Sequence, residues 1–377
     1  VNEDGRTGWQ GGCRVAVLYN LKKNVCLPAG APADALAEYD SAETVEAIQR
    51  ALHAGGHQVA LLEANAALPD TLRSVGVDIC FNIAEGLGGA SRESQVPALL
   101  EMLAIPYTGS KVLAHALSLD KAAAKSIWRD IGLPTPRFQV MRDRGEPLQR
   151  GMAYPLFVKP LGEGSGMGIN AASVVGDESG LREQVGWVVE NYRQPALVEE
   201  YLPGREFTIG LIGNRLPPGG SSRGSLYDER GYHVFRVLEI DSRASAGAGL
   251  YNAAAKSFVP GEKGAPLYVC PVDIPGELEA ELRRLAVAAF EAIGALDLSR
   301  VDIRLGEDSK PYLLEINTLP GLNPTLSDLC IMAAAEGVEY AVLINEILAL
   351  AVERYAREGL WQRQMSVPRC CPVFAQL

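Results

Sequence analysis

The stretch Pro155-Leu-Phe-Val-Lys159 reads as a strand ending in a lysine, and Gly162-Glu-Gly-Ser-Gly-Met-Gly168 follows directly. After the glycines, Gly168-Ile-Asn-Ala-Ala-Ser-Val-Val175 reads as a strand again. That order constrains the fold. A P-loop closes on Gly-Lys-Ser/Thr, and a dinucleotide fingerprint opens a helix, so neither describes this segment. Successive glycines still let backbone N–H groups converge on an anion, and Lys159 adds positive charge beside them. An ordinary tight hairpin is the plainer alternative.

The flanking segments place this loop in a larger plan. Arg14 to Tyr19, His57 to Leu62 and Asp78 to Asn82 read as strands, with a helix between the first two that Asp40-Ser-Ala-Glu43 would cap and Gly55-Gly56 would end. This alternation predicts a parallel sheet with right-handed crossovers. Helices are expected over Glu93 to Leu103 and Asp120 to Ile131. Around the glycine loop, strands at 138–141, 154–159, 168–175 and 196–201 and a helix at 181–191 make a small α+β unit. A third unit starts at Glu206. It holds a Gly/Ala/Ser-rich loop at 244–263, a helix over 277–293, paired strands at 300–304 and 311–316, and a closing helix over 338–358. A loop of that length is often a lid. The expected divisions are a tail at 1–13, domains at 14–118, 119–205 and 206–355, and a tail at 356–377. A chain of 377 residues can bury several such cores.

Acidic residues follow at suggestive spacing. Glu315 and Asn317 lie two apart on one predicted strand and so share a face, while Asp302 lies on its partner. Three oxygen donors across a hairpin suit Mg²⁺, which takes few carboxylates and completes its octahedron with phosphate and water. Arg300 has the parity of Asp302 and points the same way. A solvated polar face is the alternative, but Leu313, Leu314 and Ile316 mark this strand as largely buried, where unpaired carboxylates are costly. Glu199-Glu200-Tyr201-Leu202 has the look of an extended hinge whose backbone could read an adenine edge, with Glu206 accepting from ribose hydroxyls. Two glutamates on a strand are otherwise a common solvated edge.

Net charge is −11, which argues against a general nucleic-acid binder but not against an anionic nucleotide. No apolar run is long enough to span a membrane, and no secretory pattern opens the chain. Seven cysteines without paired spacing and only four histidines make a zinc site improbable and indicate a reducing, cytoplasmic setting. Cys370-Cys371 is expected to be an exposed end rather than a redox device.

Together these residues resemble the ATP-grasp superfamily, and within it the D-alanine–D-alanine ligase family. The resemblance covers roughly residues 14 to 350. It is carried by Ile105-Pro-Tyr-Thr-Gly-Ser110, Leu119-Asp-Lys-Ala-Ala-Ala-Lys125, Phe157-Val-Lys-Pro160 with its loop, and Arg300-Val-Asp302 through Glu315-Ile-Asn-Thr-Leu-Pro-Gly321. It implies a mixed α/β and α+β three-domain ATP-grasp architecture: an N-terminal parallel-sheet substrate domain, a central ATP-grasp subdomain and a C-terminal one with the metal site. It further implies ATP as cofactor, two Mg²⁺ ions (Mn²⁺ being the alternative), and a small-molecule carboxylate and amine as substrates. A homodimer and a cytoplasmic location are expected, without nucleic-acid or membrane partners.

The resemblance assigns Lys121 and Lys159 to phosphates, with Glu163, Gly164, Ser165 and Gly166 in the closing loop. Glu199, Glu200, Tyr201 and Leu202 would meet adenine, and Glu206 ribose. Asp302, Glu315 and Asn317 would hold metal, Arg300 and the Gly321 backbone would form the oxyanion site, and Lys256 would be the lid lysine. The departures all lie on the substrate side. The acid and serine usual after the first strand are replaced by Tyr19-Asn-Leu-Lys-Lys-Asn-Val-Cys26 and an insertion that offers Glu38 or Asp40. The usual Leu-His-Gly is Ala84-Glu85-Gly86, Ser257 replaces an aromatic or histidine, and Leu322 to Ser327 only approximates the acceptor loop. An ATP-dependent ligase of a non-standard amino acid or peptide pair is therefore expected. The alternatives are a genuine D-alanine–D-alanine ligase, a kinase-like or carboxylase-like relative, and a degenerate nucleotide-binding regulator.

Overall fold

The computed structural model describes residues 12–360 except 28, 218, 220–225, 247 and 248; Cys370 and Cys371 lie outside the described residues, as does most of both expected tails. The N-terminal sheet is built from β1 (Arg14–Tyr19), β2 (Gln58–Glu63) and β3 (Ile79–Asn82), all parallel in the order β2-β1-β3. Helix α1 (Ala42–Ala54) crosses between β1 and β2, and α2 (Leu68–Val75) between β2 and β3. Alternate residues of β1 serve two cores. Val15 and Val17 pack with Ile48 and Phe81, whereas Ala16 and Leu18 pack with Leu72, Leu100 and Tyr107. A parallel sheet buried on both faces needs such a continuous apolar run.

The cap of α1 differs from expectation. Ser41, not Asp40, accepts from the Thr44 N–H. Asp40 is held extended by a parallel bridge to Leu21, with its own N–H on the Asn20 carbonyl, so the helix can start only one residue later.

Helices α3 (Gln95–Met102), α4 (Val112–Leu119) and α5 (Lys121–Asp130) lead to the second sheet, and Asp120 caps α5 through the Ala123 N–H at 3.0 Å. That sheet comprises β4 (Phe138–Met141), β5 (Leu156–Pro160), β6 (Val174–Val175) and, after α6 (Glu178–Tyr192), β7 (Ala196–Glu200), antiparallel in the order β4-β7-β5-β6. The strand expected over 168–175 shrinks to its last two residues. Asn170 takes the Ala172 N–H at 2.8 Å and turns Ala171–Ser173 into a 3-10 turn.

The third sheet has six strands. They are β8 (Glu206–Gly213), β9 (Tyr232–Val234), β10 (Leu238–Asp241), β11 (Leu267–Val269), β12 (Asp297–Leu305) and β13 (Pro311–Asn317), with β8 and β12 central. A four-residue helix, α7 (Ala253–Lys256), lies inside the segment expected to be a structureless lid. Helices α8 (Gly276–Ala292), α9 (Asp328–Ala335) and α10 (Tyr340–Arg357) cover the sheet. Among the described residues no helix is long and apolar enough to cross a membrane.

One buried ion pair fastens these parts together. Asp297 is fully buried and accepts from Arg354 of α10 (Nη2 at 2.7 Å, Nε at 3.1 Å), from the Gly109 N–H (2.8 Å) and from Asn214 Nδ2 (2.7 Å). Arg354 donates onward to the carbonyls of Tyr107 and Gly109. Tyr107 itself bridges to Cys80 of β3, so a single carboxylate joins the first sheet, the third sheet and the closing helix. Removing one partner of a buried pair leaves a bare charge, which costs about 3–5 kcal/mol. Asp297→Ala is accordingly expected to lower unfolding stability by about that amount in urea titrations. A loss below about 1 kcal/mol would show that the pair does not hold these elements together.

Candidate active site

The site is built from the end of β5 outward. Lys159 is almost fully buried, and its Nζ lies 2.8 Å from Oε1 of Glu199 on the neighbouring β7. The other oxygen of Glu199 is 2.9 Å from Nζ of Lys125, which α5 sends in from the opposite side. Lys125 is completely buried and also donates to Thr135 Oγ1 and the Leu313 carbonyl. Burial pushes Lys125 down to about 8, with Glu199 pulling the other way. Burial would also raise Glu199, but Lys125 and Lys159 hold it below the ordinary carboxylate range. Glu199 therefore serves the two lysines with its side chain, and together with Glu200, Tyr201 and Leu202 it lines the adjoining cleft. Lys125 was given no role from the sequence, although its place one helical turn after Lys121 is the signal that could have found it.

Across this cleft stands the β12–β13 hairpin. Register pairs Asp302 with Glu315 and Arg300 with Asn317. Arg300 grips Asp302 with Nε (3.0 Å) and Nη2 (2.9 Å), and Thr208 Oγ1 donates to the same carboxylate at 2.6 Å. Lys121 Nζ is 3.5 Å from Glu315 and donates to the Glu163 carbonyl. Burial would raise Glu315, but Lys121, Lys159, Lys256 and Arg300 hold it well below the ordinary carboxylate range. Lys121, Lys159 and Lys256 line the same cleft as Glu315. Glu206, also on the cleft wall, pairs with Arg304 at 3.2 Å.

The glycine loop is clamped from two sides. Gly166 adopts φ +70°, and a Cβ there would lie 2.7 Å from the Asn252 Cα, so only glycine lets the loop approach the lid segment. The Ala253 N–H donates to the Gly166 carbonyl at 3.3 Å, and Asn252 Nδ2 to the Ile169 carbonyl at 3.2 Å. Asn252 also caps α7, which carries Lys256 to a position 4.2 Å above the Tyr251 ring. From the other side comes the insertion after β1. Glu38 accepts from the Gly164 N–H (2.7 Å) and pairs with Arg92, which holds Glu163 at 3.0 Å as well. Asp34 accepts from the Gly168 N–H at 2.9 Å and from Tyr192. Sequence reasoning did not anticipate Asp34 or Arg92, because nothing local ties them to a loop more than 70 residues away.

The cleft holding Lys121, Lys159, Glu163, Gly166, Glu200–Leu202, Glu206, Lys256, Asp302 and Glu315 abuts a second cavity of about 210 Å³. Gly164, Ser165, Arg300, Asn317 and Gly321 line the second cavity, and Lys256 touches both. Asn317, two residues beyond Glu315 on β13, thus lines the second cavity where the two spaces meet. Ser257 lines neither; it is exposed and donates to the Ala254 carbonyl, so the expected acceptor-reading position points elsewhere.

Among the described residues no three His, Cys, Asp or Glu side chains cluster as metal ligands. The candidate set is two carboxylates and an amide. Its donors nonetheless suit a hard cation. Among the described residues Glu315 accepts no hydrogen bond, and Asp302 Oδ2 receives only one, from Arg300, so both retain lone pairs in an all-oxygen setting.

A model of the D-alanine–D-alanine ligase C-terminus matches residues 127–349. The D-alanine–D-alanine ligase of Pelotomaculum thermopropionicum is 31% identical, over 83% of this chain and 92% of that one. The ligase of the same name from Syntrophotalea carbinolica is 35% identical, over 82% and 90%. An uncharacterised protein of Sinorhizobium fredii is 36% identical, over 84% and 89%. In fold, the chain resembles the crystal structure of D-alanine–D-alanine ligase from Bacillus anthracis complexed with ATP, with a TM-score of 0.68 at 21% identity, covering 92% of this chain and all of that one.

Burial pushes Asp40, on the second cavity, up to about 7 against the pull of Lys22. The folded state then binds more protons than the unfolded state between about pH 4 and 7, so the contribution of Asp40 to stability falls as pH rises through that window. Asp40→Asn removes this slope. The melting temperature of the variant relative to wild type is expected to rise by roughly 2–4 °C from pH 4 to pH 8. A difference that stays flat with pH would place Asp40 in water.

Proposed function

The chain belongs to the D-alanine–D-alanine ligase family of ATP-grasp enzymes, and from that premise we propose an ATP-dependent, ADP-forming carboxylate–amine ligase acting on a non-standard amino acid or peptide pair. The observation that carries this reading is the ring of cations formed by Lys121, Lys159 and Lys256, which line one cleft with Glu315, and by Arg300 in the cavity that abuts it. A carboxylate is a poor electrophile, and the ring is suited to its activation by phosphoryl transfer.

In this proposal the adenine sits along Glu200 to Leu202 and the ribose at Glu206. Lys121, Lys159 and the glycine loop with Ser165 take the phosphates. Lys125 and Glu199 orient Lys159 from behind. Asp302, Glu315 and Asn317 are the residues that would hold Mg²⁺, which supplies charge neutralisation on the transferring phosphoryl group. The donor carboxylate attacks the γ-phosphorus, ADP leaves, and an acyl phosphate forms. An amine then attacks the acyl carbon, phosphate departs with its bonding electrons, and an amide remains. Arg300 and the Gly321 N–H stabilise the tetrahedral oxyanion. Lid residues 251–256, docked on the glycine loop, keep water from the acyl phosphate.

We assign the divisions 14–118, 119–205 and 206–355 to the substrate domain and the two ATP-grasp halves, and a cytoplasmic homodimer follows by family analogy. Relatives that are D-alanine–D-alanine ligases by name support the genuine D-alanine activity as a second reading. Glu85, in place of the family's histidine, favours the non-standard pair. A degenerate regulator would have no need to keep the whole ring of cations.

The test is ADP and phosphate release with Mg-ATP across D- and L-amino acids, dipeptides and amines, with mass spectrometry of products. Glu315→Gln is expected to cut turnover at least about 100-fold and to raise the Mg²⁺ requirement. Unchanged activity with unchanged Mg²⁺ dependence would discard the metal assignment.

A further inference from the structure

The second cavity carries an unusual charge pattern for a site that would accept a free amino acid. Five carboxylates line it, from Glu38, Asp40, Glu85, Glu93 and Asp328, against the cations Lys22, Lys256 and Arg300. Some of these are already matched. Glu38 is taken by Arg92 and the Gly164 N–H, and Glu93 lies 3.7 Å from His115.

Asp328 is the informative one. It is buried at the start of α9, with Oδ2 3.2 Å from Nη1 of Arg300 and Oδ1 accepting from the Tyr251 hydroxyl at 3.1 Å. Arg300 also holds Asp302 with Nε and Nη2. Its guanidinium is therefore neutralised by two built-in carboxylates. An incoming carboxylate would have to lie against Asp328, and like charges juxtaposed in a site cost several kcal/mol. Among the described residues, Asp40 and Glu85, which also line the cavity, make no side-chain hydrogen bond or ion pair. Both are half-buried where they border the cavity. Lys22 acts on Asp40 and Arg92 on Glu85 without reaching ion-pair distance, so both carboxylates keep lone pairs for a cationic ligand.

Building on the ligase reading, we infer that the acceptor is a cationic amine with no carboxylate beside its nucleophilic nitrogen, such as a diamine or an amidated basic amino acid. Asp328 turns away acceptors that bear a carboxylate, and Asp40 with Glu85 holds the second positive charge. The reacting nitrogen attacks as the free amine. Its N–C bond forms first, giving the tetrahedral oxyanion; the C–O bond to phosphate then breaks, the electron pair leaves on inorganic phosphate, and the nitrogen's proton passes to solvent.

The experiment uses the full chain with Mg-ATP and begins with hydroxylamine, which traps any acyl phosphate whatever the natural acceptor, across a panel of D- and L-amino acids and dipeptides as donors. With the donors that give hydroxamate, kcat/KM is then compared for matched acceptors: D-alanine against D-alaninamide, L-lysine against L-lysinamide, and 1,4-diaminobutane. Carboxylate-free acceptors are expected to exceed their free acids at least tenfold, with lysinamide or the diamine above alaninamide. Preference for lysinamide or for the diamine supports the inference alike and separates the two sources. Asp328→Asn is expected to narrow the amide-to-acid ratio about tenfold. Glu85→Gln should weaken lysinamide and diamine use while sparing alaninamide. Hydroxamate formation together with equal or better use of free amino acids by the wild type would overturn the inference and leave the ligase standing. No hydroxamate with any donor would remove the ligase reading and this inference with it.

Discussion

Compensation of buried positive charge is the constraint on which this molecule turns. A site that draws a polyanion into a closed cleft needs several cations at one point, and burying each cation alone would cost several kcal/mol. The chain answers with carboxylates from three directions. Glu199 lies between Lys125 and Lys159, Asp302 and Asp328 flank Arg300, and Glu315 faces Lys121. These pairs fix where β5, β7, β12, β13 and α5 must meet. The two sheets that supply them are therefore tied to the geometry of the charges as much as to their apolar cores.

The insertion after β1 extends the same logic. Glu38 and Asp34 place carboxylate oxygens on the N–H groups of Gly164 and Gly168, and Arg92 balances Glu38 and Glu163. Two of the backbone N–H groups of the loop, those of Gly164 and Gly168, are thus partnered by the protein's own acids. The segment after β1 thereby reaches across to the glycine loop, and its residues Glu38 to Asp40 also wall the second cavity.

Much of this was legible in the sequence, for reasons that can be named. The parallel opening sheet followed from apolar runs long enough to be buried on both faces, as Val15 to Leu18 are. The facing of Asp302 and Glu315 followed from strand parity, which a hairpin makes rigid. Strands β9, β10 and β11 escaped, since segments of three or four residues carry too little periodicity to register. The cap of α1 was misplaced by one residue because a tertiary bridge from Leu21 overrode a local signal. Asp34, Arg92 and Asp328 gain their meaning only from partners far along the chain, which spacing alone does not reveal.

The central claim is that the ring of cations exists to make an acyl phosphate from a carboxylate. The most direct measurement labels the donor carboxylate with ¹⁸O and follows the label by mass spectrometry after turnover with Mg-ATP. Transfer through an acyl phosphate predicts one ¹⁸O atom in each released phosphate and a matching loss from the amide product. Phosphate carrying only its own and solvent oxygen, with both labels retained on the donor, would contradict the account.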